Sequence, residues 1–310
     1  MSDGGFLSEL GKFSARALRQ PMQLGRGLKL LLNPSAAGYY DLLGDDVLEK
    51  HDSSFQDAQK PLWLNLGYWE RARTYPEAAA ALALELSQAA QMQAGDRVLD
   101  VGFGFAEQDF LWLERHSPAA IAGLNITPLH VKVANERVSA RGLGDKLDLR
   151  EGSATAMPFP DGSFDKVVAL ECAFHFDTRE AFFAEAFRVL RPGGRLALAD
   201  MLPLPGDAWS NWVNRLVLKR WFVPLANMYD RDEYCGRLSA AGFAEPTARP
   251  IGRYVFGPVV RYNAARNAGA RIDQPLALNE AAFDDPDALK LWGRRGGLTD
   301  YVIFAAKKPG

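Results

Sequence analysis

Short apolar runs alternate with segments of helical spacing between Arg97 and Asp200. The apolar runs are RVLDV, AAIAGLNI, KLDLR, DKVVAL and RLALAD, and helical patterns follow the first, second and fourth of them. This alternation predicts a parallel sheet with right-handed crossovers and helices on both faces. Upstream, the alanine- and leucine-rich stretch that starts at Pro76 predicts a helix ending near Gly95.

The pattern changes after Asp200, where a mostly helical stretch precedes the last predicted strand, TDYVIFAAKKP. The aromatic residues of that stretch are Trp209, Trp212, Trp221, Phe222 and Tyr229. They predict either the lining of a large apolar pocket or a helical core stripe, and both interpretations stay open. We therefore predict an N-terminal helical arm and lid over residues 1–60, an α/β core over 61–202, a helical cap with a late strand over 203–298, and a terminal core strand over 299–310.

Composition narrows the classes of function. Lysine and arginine total 36 and aspartate and glutamate 38, so the net charge of −2 supplies no overall field for binding nucleic acid. Cys172 and Cys235 are too few for a disulfide framework, and no Cys/His spacing predicts a metal site. No apolar run approaches the roughly 18 residues that cross a bilayer, and the N-terminus lacks a secretory pattern. We predict a soluble, cytoplasmic protein.

One local charge bias stands out near the N-terminus. Between Gly11 and Tyr40 the sequence has five basic residues and no acidic residue, with apolar residues between them. The bias favours a helix that packs on its own domain or on a neighbouring subunit. The alternative is an amphipathic arm that makes a peripheral contact with an anionic membrane. The pattern leaves the oligomeric state open.

The strand that ends at Asp100 is followed by Gly102 and Gly104. Glycines two residues apart allow a tight turn at the carboxyl edge of a sheet, where open α/β folds bind nucleotide-like ligands. A dinucleotide site would continue to a third glycine and seat a pyrophosphate, but here the register reaches Glu107, whose charge would repel phosphate. The pattern favours an adenosine compound without anionic charge at this end, such as a sulfonium with an amino-acid tail.

Together with LNIT, MPFPDGSFD, LECAFHF, RVLRPGGRLALAD and DYVIFAAKKP, this motif resembles class I S-adenosylmethionine-dependent methyltransferases. The resemblance covers about residues 60–308 and is greatest to small-molecule enzymes of natural-product and lipid pathways, among them the rebeccamycin-type sugar O-methyltransferases. It implies a Rossmann-like seven-stranded sheet with helices on both faces and S-adenosylmethionine as the cofactor. The implied acceptor is a hydrophobic small molecule, and no metal is implied.

The resemblance also assigns the cofactor site residue by residue. It implies contacts at Asp100, Gly102, Gly104, Asn125, Ile126, Ser153, Ala154, Glu171, Tyr39 and Trp69. Several have an ordinary structural alternative: the glycine loop as a plain βα turn, Asn125 as a turn residue, Glu171 as a buried structural carboxylate, and both aromatics as core packing. This chain departs from the family pattern at Phe105, which replaces a third glycine and must point away from the cofactor or narrow the loop.

The acceptor chemistry centres on His175, which falls just after the fourth strand at the carboxyl edge of the predicted sheet. It matches the histidine that serves as general base in the sugar enzymes, and Asp200 matches the carboxylate that assists it. An imidazole with a pKa near 6.5 can accept a hydroxyl proton at neutral pH. Phe174 replaces a second histidine of that family, which suggests a more apolar acceptor. The alternative is a histidine that only hydrogen-bonds a backbone group.

We therefore predict a methyltransferase that acts on a hydroxyl, or on a carbon, of a polyketide, glycoside, isoprenoid or lipid. Two other hypotheses stay open: a methyltransferase-fold assembly factor on a membrane-associated biosynthetic complex, and a non-methylating enzyme such as a cyclase. The intact glycine loop and His175 favour catalysis of methyl transfer.

Overall fold

The computed structural model describes residues 38, 61–203, 222–285 and 300–310. All of them except Gly38 belong to the unit formed by residues 58–310. The basic N-terminal segment, Tyr39 and the three tryptophans predicted for the cap lie outside the described residues. The proposed domain boundaries remain predictions.

The described residues form one seven-stranded sheet with the order β3-β2-β1-β4-β5-β7-β6. The strands are β1 (Arg97–Val101), β2 (Ala120–Asn125), β3 (Leu147–Glu151), β4 (Phe164–Leu170), β5 (Leu190–Leu202), β6 (Ala244–Pro250) and β7 (Asp300–Lys307). The first five are parallel, and β7 runs antiparallel between β5 and β6. The predicted Rossmann-like seven-stranded fold is confirmed.

Helices cover the sheet and connect its strands. They are α1 (Tyr75–Ala89), α2 (Glu107–His116), α3 (Pro128–Ala140), α4 (Arg179–Val189), α5 (Arg231–Ala240), α6 (Phe256–Asn267) and α7 (Glu280–Phe283). Single-turn 3₁₀ helices span Ala173–His175, Leu225–Asn227 and Gly252–Tyr254. The helix predicted from Pro76 is α1, and it begins with a capping box in which Thr74 and Glu77 satisfy each other's backbone N–H groups.

The core lies on both faces of the sheet because the central strands carry apolar side chains on both faces. In β1, Val98 packs into one buried cluster and Leu99 into the other, so successive residues serve opposite faces. All seven residues of β4 are buried. Such doubly covered strands are typical of parallel sheets between helical layers. Within the described part of the chain, no helix is long and apolar enough to cross a bilayer.

Candidate active site

Several of the functional residues predicted from the sequence lie at the carboxyl edge of the parallel strands. Asp100 lies near the end of β1, Asn125 ends β2, Glu171 follows β4, and Asp200 lies near the end of β5. Register places Leu170 beside Ala199, and Asp100 beside Gly123 and Val168. Open α/β sheets bind their ligands at this edge.

The turn after β1 requires glycine at two positions. Gly102 has φ +84°, and a Cβ there would lie 2.7 Å from Sγ of Cys172. Gly104 has φ +56°, and its Cβ would lie 3.1 Å from a methyl carbon of Leu64. The Gly102 N–H also donates to the carbonyl of Leu124 at 2.7 Å. The loop is thus a close-packed backbone cradle that side chains would fill.

Phe105, which replaces the family's third glycine, is buried beneath this loop. Its ring centroid lies 4.5 Å from that of His130 in α3, and Arg137 donates to its carbonyl at 3.0 Å. Arg137 also forms a buried ion pair with Glu107, whose carboxylate accepts the Leu62 N–H at 2.8 Å. The charge of Glu107 is therefore balanced by Arg137. The predicted repulsion of phosphate by Glu107 did not take this ion pair into account.

Asp100 supports the glycine loop through a neighbouring amide side chain. Gln108 donates to Asp100 at 2.9 Å and to the Phe103 carbonyl at 3.1 Å, so a single side chain joins the β1 end to the turn. Burial raises the pKa of Asp100 to about 7. Asp109 is also fully buried, and burial followed by the charge of Asp100 raises its pKa well above the usual range. Neither Gln108 nor Asp109 is predicted as a site residue from the sequence.

The turn after β2 presents an apolar side chain to solvent. The Asn125 side-chain oxygen accepts the Thr127 N–H at 3.0 Å, which is the turn role foreseen as its structural alternative. The next residue, Ile126, is 47% exposed, whereas most other large apolar residues in the described part of the chain are buried. An exposed isoleucine at this edge of the sheet provides an apolar surface on which a flat ring, such as adenine, can pack. The cofactor contacts of both residues remain predictions.

Ser153 and Ala154 form a tight turn after β3. The Ser153 hydroxyl accepts the Thr155 N–H at 3.2 Å and lies 3.0 Å from the Thr155 hydroxyl. Ala154 is buried against the second core cluster. The described contacts fix the shape of this turn, and its predicted binding of adenine remains a prediction.

Glu171 connects three separate segments at the edge of the sheet. Its Oε1 accepts the Tyr301 hydroxyl at 2.6 Å and the Leu66 N–H at 2.9 Å, which joins β4 to β7 and to the segment before α1. Burial raises the pKa of Glu171 to about 7. These hydrogen bonds give Glu171 a structural role, and its predicted contact with the cofactor is untested.

Trp69 is fully buried, and its contacts are those of a core residue. Its indole N–H donates to the Leu66 carbonyl at 2.9 Å, and its ring centroid lies 5.7 Å from that of Tyr262. These contacts support the packing alternative stated for this residue, and the lid role remains a prediction.

His175 ends the 3₁₀ turn that follows β4. Its Nδ1 lies 3.2 Å from the carbonyl oxygen of Phe222, and its ring centroid lies 4.1 Å from that of Phe174. Burial lowers the pKa of His175 to about 4, although the Phe222 carbonyl opposes that shift. The imidazole is therefore neutral at pH 7, with a pKa below the value near 6.5 on which the sequence argument relied.

The structure corrects the expected pairing of His175 with Asp200. Asp200 is fully buried, and its Oδ2 accepts from Arg179 at 2.8 Å and from the Tyr234 hydroxyl at 3.1 Å. Its Oδ1 accepts the Met201 N–H at 2.9 Å. A buried carboxylate needs a charged partner, and Arg179 supplies it from the first turn of α4. Asp200 makes no hydrogen bond to His175, and its predicted part in catalysis remains a prediction.

Arg179 and its partners are the residues that sequence reasoning missed. Arg179 is fully buried, and its guanidinium also donates to the carbonyls of Met201 and Asn227. It lies over the rings of Tyr229 and Tyr234, at 5.1 and 5.2 Å from their centroids. Tyr229, one of the aromatics predicted for the pocket or the core, is therefore a core residue. The available signal was a lone arginine directly after a candidate helix cap, Thr178.

The chain is similar in sequence and in fold to several known proteins. A methyltransferase domain family matches residues 99–198. Erythromycin 3''-O-methyltransferase of Saccharopolyspora erythraea is 36% identical over 87% of this chain and 89% of its own length. The 27-O-demethylrifamycin SV methyltransferase of Amycolatopsis mediterranei is 32% identical over 83% of this chain and 94% of its own. The solved (4+2)-cyclase SpnF has a TM-score of 0.64 at 22% identity, covering 87% of this chain and 96% of that chain, a likeness of fold alone.

The sheet order and the glycine cradle at its carboxyl edge define a class I methyltransferase architecture. Because the two O-methyltransferase relatives match most of both chains, this chain belongs to the S-adenosylmethionine-dependent methyltransferases. The family resemblance, the enzyme class and the cofactor predicted from the sequence are confirmed. The tight backbone at Gly102 and the exposed side chain of Ile126 fit a cofactor with an adenosine moiety. Among the described residues, no cluster of three His, Cys, Asp or Glu side chains could hold a metal ion.

Proposed function

We propose that this enzyme methylates a hydroxyl group of a macrocyclic polyketide or of a sugar attached to one, with His175 as the general base. The observation that carries the proposal is the 36% identity with erythromycin 3''-O-methyltransferase over nearly the whole of both chains. A second relative of similar coverage also methylates oxygen, in a rifamycin precursor. The ring of Phe174 beside His175 supports an acceptor with apolar surface next to the reacting hydroxyl.

The protein's own residues position the reactants and move one proton. When bound, S-adenosylmethionine supplies a methyl group already activated by its sulfonium centre. The loop at Gly102 and Gly104 shapes the cofactor site, and Asp100 and Gln108 hold that loop from behind. His175 accepts the hydroxyl proton as the acceptor oxygen forms its new bond to the methyl carbon. Holding both reactants in the right orientation contributes to the rate, because it removes part of the entropic cost of bringing them together.

The environment of His175 decides which protonation state it presents. Because burial keeps its pKa at about 4, the imidazole is unprotonated at pH 7 and ready to accept a proton. A base is most effective when its pKa is near the working pH, so a desolvated histidine is weaker than a free one. Asp200 does not compensate by direct contact, because Arg179 holds that carboxylate.

Methyl transfer to defined acceptors tests the proposal. The full chain is incubated with S-adenosylmethionine and either 3''-O-demethylated erythromycin or 27-O-demethylrifamycin SV, and products are scored by mass spectrometry for a gain of about 14 daltons, one CH₂. His175→Ala should lower turnover roughly 10²- to 10⁴-fold if His175 is the base. His116→Ala is the matched control, because His116 lies at the far end of α2 and contacts Ser87.

Each alternative gives a distinct result in the same experiment. Calorimetric binding of S-adenosylmethionine without methylation of any polyketide hydroxyl would refute the proposed reaction and favour a binding factor or a cyclase. Methylation with unchanged turnover in His175→Ala would keep the reaction and refute the role of His175. Methylation at carbon would refute the assignment of oxygen as the accepting atom.

We infer from its sequence that the basic N-terminal segment contacts its own domain or a neighbouring subunit. Liposome flotation of the full chain and of a chain without residues 1–34 separates this inference from membrane binding. Equal flotation of both is expected, and loss of flotation only in the shortened chain would favour an anionic lipid surface.

A further inference from the structure

The Phe222 carbonyl defines where the neutral His175 ring carries its proton. A carbonyl oxygen only accepts hydrogen bonds, so the Nδ1 atom 3.2 Å away must be the protonated nitrogen of the pair. In a neutral imidazole the other nitrogen, Nε2, then holds the lone pair. Since burial keeps His175 neutral at pH 7, this contact selects one tautomer.

A buried amide holds the turn that carries His175. The Asn227 side-chain nitrogen donates to the carbonyl of Phe174 at 3.1 Å and to that of Phe176 at 2.7 Å. These two carbonyls flank His175 on either side in the chain. Asn227 is fully buried, so neither donor has water as a substitute partner. The amide therefore fixes both ends of the short backbone segment from which the imidazole projects.

Asn227 is itself held by the ion pair of Arg179 and Asp200. Its side-chain oxygen accepts the Arg179 N–H at 2.9 Å, and its backbone carbonyl accepts from the Arg179 guanidinium. Phe222 and Asn227 lie in one short segment that ends in the 3₁₀ helix Leu225–Asn227. The segment that supplies the carbonyl for Nδ1 is thus anchored to the same turn that it orients.

We propose that Asn227 is a positioning residue that, through the turn at Phe174 and Phe176, holds His175 against the Phe222 carbonyl so that Nε2 is the basic atom. The inference rests on the proposed role of His175 in methyl transfer. It gives Asp200 an indirect part in the reaction, through Arg179 and Asn227, in place of the direct contact expected from the sequence.

Nuclear magnetic resonance of the full chain tests this inference without acceptor or cofactor. Histidine labelled with ¹⁵N and ¹³C reports the tautomer of each of the four imidazoles at pH 7, and His175→Gln assigns the signal of His175. We expect the Nδ1–H tautomer for His175 in the wild-type protein. An Nε2–H tautomer would overturn the proposal, and this measurement does not depend on any variant remaining folded.

The role of Asn227 is tested by Asn227→Ala, with Asn135→Ala as the matched control. Asn135 also donates from its side chain to two carbonyls, those of Val131 and Leu149, but on α3 and away from His175. Asn227→Ala should convert the His175 signal to a mixture of tautomers, and Asn135→Ala should leave it unchanged. If Asn227→Ala does not fold, Asn227→Asp keeps the acceptor for Arg179 and replaces the two donors by a carboxylate oxygen, whose charge lies beside the Arg179 guanidinium.

Turnover separates this inference from the proposed function. In Asn227→Ala, kcat should fall by up to about 10²-fold, as expected for a displaced catalytic group, while the KM for S-adenosylmethionine stays unchanged. A wild-type tautomer in a folded Asn227 variant would refute the positioning role. If His175→Ala leaves methylation unchanged while the tautomer result holds, the proposed base has failed and the geometric inference has not.

Discussion

Replacing Glu171 by glutamine should remove one identifiable source of pH-dependent instability. The carboxyl accepts from the Tyr301 hydroxyl and the Leu66 N–H through Oε1, and glutamine retains an oxygen that can accept both. Burial raises the pKa of Glu171 from the ordinary 4.5 to about 7 in the folded chain. A raised pKa means that the folded protein prefers the protonated carboxyl. The contribution of Glu171 to the free energy of unfolding is therefore fully present below pH 4.5 and is lost as pH rises through 7.

The size of this effect follows from the shift. At roughly 1.4 kcal/mol per pKa unit, the shift corresponds to about 3 kcal/mol of unfolding free energy between pH 4.5 and pH 8. Urea unfolding of the wild-type protein and of Glu171→Gln at intervals from pH 5 to 8 measures it. The difference in favour of the variant should grow with pH by an amount of that order.

Glu151→Gln changes an exposed side chain at the end of β3 and should track the wild-type protein at every pH. A constant difference between Glu171→Gln and the wild-type protein across the range would refute the reasoning, because it would show that folding does not change the proton affinity of Glu171.

Three further predictions concern the loop and the buried charges. Gly102→Ala should destabilise the protein by about 1–3 kcal/mol in urea unfolding, because its φ is +84° and its Cβ would meet Cys172; Gly144→Ala has open space, and an equal loss there would contradict this. Arg179→Ala should cost about 3–5 kcal/mol by leaving Asp200 buried without a cation, and failure of an added Asp200→Asn to recover any of it would argue against the ion pair. Asp109→Asn should gain stability relative to wild type as pH rises, since burial and Asp100 raise the pKa of Asp109; a pH-independent difference in thermal unfolding would contradict that cause.

The sequence predicts the sheet and the glycine turn well because their signals are local. The apolar run that ends at Asp100 and the glycines after it are adjacent in the chain, and the short length of the run with glycines at its end identifies a strand. Phe105 shows the limit of this local information. Its ring packs on His130, 25 positions further along, and the local pattern allowed either that arrangement or a narrowed loop.

Pairings between elements could not be deduced in this way. The order of strand ends correctly predicts that His175 and Asp200 belong to the same edge of the sheet. It does not predict that Arg179, four positions after His175, is the partner of that carboxylate. Nor does it indicate Asn227, whose importance depends on carbonyl groups 51 and 53 positions earlier in the chain. Such contacts depend on tertiary packing, and residue periodicity carries no information about them.

The position of β7 between β5 and β6 has a consequence for folding while the chain is being translated. β5 and β6 do not pair with each other, because β7 lies between them. β6 is therefore synthesised before the strand it pairs with, β7 (Asp300–Lys307). At translation speeds of about 5–20 residues per second, the roughly 50 residues in between take several seconds. During that interval the edges of β5 and β6 that β7 will cover stay unpaired, and unpaired strand edges are prone to aggregation.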